Sequence, residues 1–115
     1  MKCILNKGDE TLEHYAIKFS PKAYNDLKNI NEYICKELLE PNIAYEMSRL
    51  ITDEIGKLEY LPFRNPKVMS EKNRHENLRK MLVKNYIVFY DVVENSKLVN
   101  IHRILYAYSN WIKDI

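Results

Sequence analysis

Cysteine and histidine are too few and too scattered to build a disulfide framework or a metal site. Cys3 and Cys35 stand far apart with no CxxC spacing, and His14, His75 and His102 are dispersed, so reduced thiols and no bound metal are expected. Long apolar runs are missing too. No stretch approaches the roughly 18 residues of a membrane span, and the opening MKCILNKGDE has no apolar stretch long enough for a secretory signal. The expectation is a soluble, cytoplasmic protein with no membrane partner and no cofactor.

What is present suffices for a packed core. A chain of 115 residues that is 46% hydrophobic is long enough for one compact domain and short for two. A single domain over residues 1–115 is expected, with the polar segment 1–13 flexible. The formal net charge of +2 hides an uneven distribution. Residues 1–60 carry eight Lys/Arg against eleven Asp/Glu, residues 61–85 carry seven against two, and the remainder balances at three against three. The excess of +5 in 61–85 makes Arg64, Lys67, Lys72, Arg74, Arg79, Lys80 and Lys84 the cationic region of the molecule, either a solvated face or a surface for a polyanion.

Alternation of Tyr15, Ile17 and Phe19 with Ala16 and Lys18 predicts a half-buried strand over 14–19. Ser20-Pro21 then fits an N-cap followed by proline in the first helical turn. Ala23, Leu27, Ile30, Ile34 and Leu38 give one apolar stripe, ending near Glu40, where Pro41 disfavours helix in the residue before it. From Pro41 a second stripe, Ala44, Met47, Ile51, Ile55 and Leu58, predicts the other half of an antiparallel hairpin. Gly56, late in that helix, suggests close packing.

Residues 61–76, bracketed at their start by Pro62 and Pro66, lack periodicity and predict an exposed loop. Three β-prone runs follow at 78–83, 86–93 and 98–105, with turns at Lys84-Asn85 and Glu94-Asn95-Ser96-Lys97. The run Tyr86-Ile87-Val88-Phe89-Tyr90 is apolar on both faces, as in a central strand. The expected fold is α+β: an N-terminal strand, a two-helix hairpin packed on one face of an antiparallel sheet, a C-terminal three-stranded meander, and a short terminal helix or tail containing Trp111. The other sheet face is expected to form a concave platform edged by basic residues.

Three segments, YAIKFSPKAYNDLKNINEYI, LRKMLVKNYIVFYDV and VNIHRILY, resemble the first strand and helix, the central hairpin and the last strand of the RelE/ParE toxins of type II toxin–antitoxin systems. The likeness covers nearly everything from Tyr15 to Trp111. The hairpin joined through Pro41 and the Leu-Arg-to-Tyr spacing are more similar to the ParE branch. Tyr106, Ala107, Tyr108, Ser109 and Asn110 depart from the His, Gly, Arg, Arg and Asp of many relatives.

The resemblance implies a growth-inhibiting toxin held by a cognate antitoxin in a hetero-oligomer, and two chemistries share the fold. A ParE-like toxin binds DNA gyrase and stabilises a cleaved DNA complex without bond chemistry of its own. A RelE-like toxin cuts messenger RNA on the ribosome, which needs a base for the 2′-hydroxyl, an acid for the leaving oxygen and cations for the phosphorane. For that chemistry Arg79, Arg103 and Tyr108 are the catalytic candidates, with His75, Glu76 or His102 for proton transfer. As target or nucleic-acid contacts the candidates are Arg79, Lys80, Lys84 and Arg103. A binding module for RNA or protein with an inert platform is the third reading.

Overall fold

The computed structural model of the protein describes residues 14–68 and 77–115. The segment expected to be flexible, 1–13, lies outside them, as do Lys72, Arg74, His75 and Glu76.

The first strand, β1, is Ala16–Phe19. It begins two residues later than the alternation suggests, since the Tyr15 amide donates to the Glu59 carbonyl at 2.9 Å while its ring enters the core. Helix α1, Pro21–Glu32, starts as the sequence dictates: Ser20 is extended and its Oγ accepts from the Ala23 amide at 2.9 Å. The same hydroxyl donates to the His102 carbonyl at 2.8 Å, so the cap also fastens the helix to the sheet.

After Glu32 the helix widens into a π turn over Tyr33–Glu37, closed by Leu38 N–H to Tyr33 O at 3.3 Å. The extra residue per turn shifts the apolar stripe. Ile34 is buried, but Leu38, placed on that stripe by its spacing, is 52% exposed. Leu39 follows in the left-handed region at φ 55°, and the chain turns into α2, Pro41–Gly56, ending in a 3₁₀ turn at Lys57–Glu59. Asn31 Nδ2 donates to Ser48 Oγ at 3.0 Å, linking the two helices. Gly56 does not mark a close approach: a Cβ there would meet nothing within 4 Å. The stripe residues Ala44, Ile51, Ile55 and Leu58 are buried as the spacing requires.

The meander consists of β2, Arg79–Val83, β3, Tyr86–Val93, and β4, Leu98–Tyr106. Lys84, at φ 55°, supplies the single left-handed residue of the tight turn between β2 and β3. The sheet order is β1-β4-β3-β2. β1 runs parallel to β4 and the other pairs are antiparallel, so the four-stranded sheet is mixed. A bulge interrupts β3 and β4: Phe89 faces Arg103 and Tyr90 faces Ile101, leaving His102 as the extra residue.

Alternate residues of β3 serve two cores. Val88 and Tyr90 join Ile51, Ile55 and Leu58 beneath the helices. Ile87 and Phe89 face the other way and gather Val68, Leu78, Leu105, Trp111 and Ile115. The second face is therefore no open platform throughout. The C-terminal 3₁₀ turn, Trp111–Asp114, folds back on it, with the Trp111 ring 5.1 Å from that of Phe89.

Candidate functional site

The two arginines singled out in the sequence have opposite surroundings. Arg103 sits at the bulge and is neutralised: Nε reaches Asp26 Oδ2 at 2.7 Å and Nη2 reaches Asp26 Oδ1 at 3.0 Å, with Nη1 on the Asp114 carbonyl at 3.1 Å. The Asp26 carboxylate raises the guanidinium pKa further, against the opposing effect of burial. Its bonding is that of a clamp between α1, β4 and the C-terminal turn.

Arg79, at the start of β2, is held by neutral groups. Its Nη1 donates to the Asn65 carbonyl at 2.6 Å and to the Phe63 carbonyl at 3.4 Å, and the guanidinium carbon lies 5.1 Å from the Phe63 ring centroid. No carboxylate among the described residues pairs with it, so within the described structure its charge is oriented by neutral groups alone. Beneath it Tyr90 donates its hydroxyl to the Pro62 carbonyl at 2.8 Å and accepts from Asn65 Nδ2 at 3.1 Å. Burial pushes that phenol's pKa up, although Asn65 and Arg79 pull the other way. The loop 62–65 is thus fastened to β2 and β3 by a buried hydroxyl and a cation.

Lys67 bridges to Arg79 as its direct antiparallel neighbour, and its ammonium donates to Asn77 Oδ1 at 3.3 Å. Lys67, Asn77, Arg79 and Phe63, with Val92 and Glu94, line a small polar hollow of about 230 Å³. Lys80 points away from this hollow and lies 5.6 Å from the Trp111 ring centroid. Lys84 is at the opposite end of β2, in the hairpin turn.

Tyr108 belongs to that far end as well. The Ala107 amide donates to the Asn85 carbonyl at 2.7 Å, and the rings of Tyr86, Tyr106 and Tyr108 meet edge to face, with centroids 5.8 and 5.4 Å apart. Tyr108 is 77% exposed. Burial raises the Tyr86 pKa, with Tyr106 and Tyr33 adding to the effect. Beside this ladder a cleft of about 630 Å³ opens between the helical hairpin and the sheet, its walls including Tyr33, Leu38, Ile43, Met47, Tyr86 and Tyr106.

His102 Nε2 lies 2.7 Å from Asp91 Oδ2, whose other oxygen accepts from Asn100 Nδ2 at 3.0 Å. Arg79, Arg103 and Tyr108 therefore occupy separate places: the loop junction, the bulge and the far end of the hairpin. Among the described residues no group of three His, Cys, Asp or Glu could hold a metal ion, and no helix is long and apolar enough to cross a membrane.

Asn77 and the cleft residues Tyr33 and Ile43 were not singled out by sequence, and Lys67 only as one charge of the cationic region. Tyr33 and Ile43 carry a faint signal, being large apolar residues that lie off the helical stripes. Asn77 carries none, and nothing in the sequence pairs Lys67 with Arg79, because only folding sets residue 67 opposite residue 79.

The family model described as the ParE toxin of the type II toxin–antitoxin system parDE matches residues 17–111. No curated protein matches the sequence. Among solved structures the chain is similar to one from the chromosomal ParDE toxin–antitoxin system of P. aeruginosa, at 20% identity and a TM-score of 0.67, covering 81% of this chain and 96% of that one. It is similar also to a chain of the RelBE2 toxin–antitoxin complex of Mycobacterium tuberculosis (18% identity, TM-score 0.58, 82% and 92% covered). A chain of the archaeal RelE-RelB complex of Pyrococcus horikoshii matches at 14% identity and TM-score 0.56, with 83% and 97% covered. At these identities the structural matches speak to fold.

Proposed function

Since the chain belongs to the ParE toxin family of type II toxin–antitoxin systems, we propose that it is a growth-inhibiting toxin that acts on DNA gyrase and is restrained by a cognate antitoxin. The family match over 17–111 carries this reading, because it spans all but the first residue of the first strand, both helices and the whole meander. The separation of Arg79, Arg103 and Tyr108 supports it. A gyrase poison needs a binding surface rather than a base and an acid converging on one 2′-hydroxyl.

The cleft between hairpin and sheet suits the antitoxin. Its walls present Leu38, Ile43 and Tyr106 at 52, 47 and 47% exposure, anchors of the kind that an amphipathic segment covers in helix-in-groove recognition. Two of the similar solved structures are described as toxin–antitoxin or RelE-RelB complexes. Arg79, Lys80 and Lys84 remain as the target-facing cations, and Arg103 acts in this reading through the clamp that positions α1 and the bulge.

The test is induced expression without antitoxin, with gyrase-linked DNA breaks and messenger RNA integrity measured in the same cells. Gyrase-linked breaks with intact message are expected. Message cut on ribosomes without DNA breaks would replace the reading by RelE-like catalysis, and normal growth with soluble protein would remove the toxin assignment.

A further inference from the structure

We propose that Lys67, Arg79 and Asn77 form a seat for one phosphodiester of duplex DNA, contacted without regard to base sequence. The proposal rests on the gyrase reading only for the source of the phosphate. Its geometric basis is independent of it.

Lys67 and Arg79 are direct partners in an antiparallel bridge, where two like charges repel. Among the described residues neither has a carboxylate partner. Arg79 is fixed by the Asn65 and Phe63 carbonyls, and Lys67 by the Asn77 side-chain oxygen. An anion seated between them would convert the repulsion into two charge-assisted contacts. The guanidinium spends one nitrogen on the loop carbonyls, and among the described residues Nε and Nη2 have no acceptor, so they are placed to donate to a ligand. Asn77, oriented by the lysine on its oxygen, offers its amide nitrogen as a further donor.

Glu94 also lines the hollow. It makes no ion pair with either cation, and the described residues of the hollow carry a net positive charge. The hollow holds about 230 Å³, a size suited to one phosphate group rather than a nucleotide.

A peptide carboxylate would meet the same cations, but it would find the edge of β2 already taken. The outward Lys80 amide is taken by the Pro66 carbonyl at 3.0 Å, and Val68 N–H by the Leu78 carbonyl at 2.8 Å. The edge of β2 at this point is closed to an added strand, whereas a sugar–phosphate backbone needs only donors and charge. Such contacts position a duplex without reading it. Arg64 lies outside the seat, its Nη2 being 3.7 Å from Glu54 Oε1.

The experiment is fluorescence anisotropy of a labelled duplex with the purified toxin alone, without gyrase, over a salt series. Lys67→Gln and Arg79→Gln are compared with Lys84→Gln, which removes one charge at the other end of β2. Each of the first two should lower the magnitude of the log–log salt slope by about one, equally on unrelated sequences, and weaken binding several-fold more than Lys84→Gln does. Equal effects of all three variants would overturn the seat in favour of diffuse attraction, as would an unchanged slope in Lys67→Gln. Binding of polyglutamate but not DNA, lost in the same variants, would overturn the phosphodiester in favour of an acidic peptide. Lys67→Gln decides the matter even if Arg79→Gln fails to fold, since among the described residues the lysine side chain holds only Asn77. A failure here leaves the gyrase assay standing, and gyrase inactivity leaves DNA binding measurable.

Discussion

Asp26 and Arg103, 77 residues apart in sequence, are joined by two bonds of 2.7 and 3.0 Å, and the same carboxylate accepts the Ile104 amide at 3.0 Å. β1 accompanies β4 only as far as Ile101. Beyond it the Ile104 N–H would face the edge unpaired, and α1 supplies the acceptor. With 12% of the Asp26 side chain and 21% of that of Arg103 exposed, the pair is well removed from water. Asp26→Ala leaves a partly buried guanidinium and a backbone N–H without their acceptor, so a loss of about 3 kcal/mol is expected. Urea unfolding should register it as a lower midpoint at unchanged m. A loss below about 0.5 kcal/mol would mean that water takes the carboxylate's place and that no clamp exists.

Gly56 provides the converse case. Its backbone is helical, at φ −58° and ψ −31°, and the space around a Cβ is open. Alanine can therefore enter without strain while restricting the unfolded chain. Gly56→Ala should stabilise the protein by about 0.4–1 kcal/mol, measured in the same unfolding experiment. A destabilised variant would mean that α2 meets a neighbour at this position in solution.

These two positions show where the sequence is readable. The hairpin and meander follow from local signals: Ser20-Pro21 sets the start of α1, Pro41 that of α2, and the turn at Lys84-Asn85 the β2–β3 register. β3 matches the expected 86–93 at both ends. Gly56 misleads because glycine has the same appearance whether it permits a close approach or merely tolerates a helix. The π turn has no local signature, so Leu38 is assigned to the core by a period that the widened turn breaks. The candidate site is legible as a charge excess but not as geometry. Whether Arg103 or Arg79 keeps its charge available depends on Asp26 in one case and on the Phe63 and Asn65 carbonyls in the other, across 77 and about 15 residues respectively.

Leu39 combines an unfavourable backbone with an unfavourable environment. It sits at φ 55° with 77% exposure, just beyond the π turn, at the position where helix ends most often place glycine. Leu39→Gly should stabilise the fold by about 1 kcal/mol by relieving the left-handed strain. If the exposed side chain anchors the antitoxin beside Leu38 and Ile43, the same variant should lose antitoxin affinity while its growth inhibition persists. Thermal denaturation and a pull-down with the antitoxin read the two effects separately. Unchanged affinity would detach Leu39 from the binding surface, and an unchanged or lower melting temperature would contradict the strain.

Tyr90 gives the molecule an alkaline limit. Its phenol is pushed above the ordinary value of 10.0 by burial, so in the unfolded chain it releases its proton at a lower pH than in the fold. Above pH ~10 the unfolded state then binds fewer protons, and stability must fall as pH rises until the folded phenol itself ionises. Below that value both states are protonated and the contribution is fully present. Tyr90→Phe removes the ionisation together with the bonds to the Pro62 carbonyl and from Asn65. It should cost about 1–2 kcal/mol at neutral pH and loosen the loop that orients Arg79. Unfolding free energies of the two proteins at pH 8, 10 and 11 should converge, because only the parent has a buried phenol to lose at this position while Tyr86 titrates in both. A difference that stays constant across that range would show that residue 90 ionises as readily in the fold as out of it, and that the hydroxyl is not sealed beneath the loop.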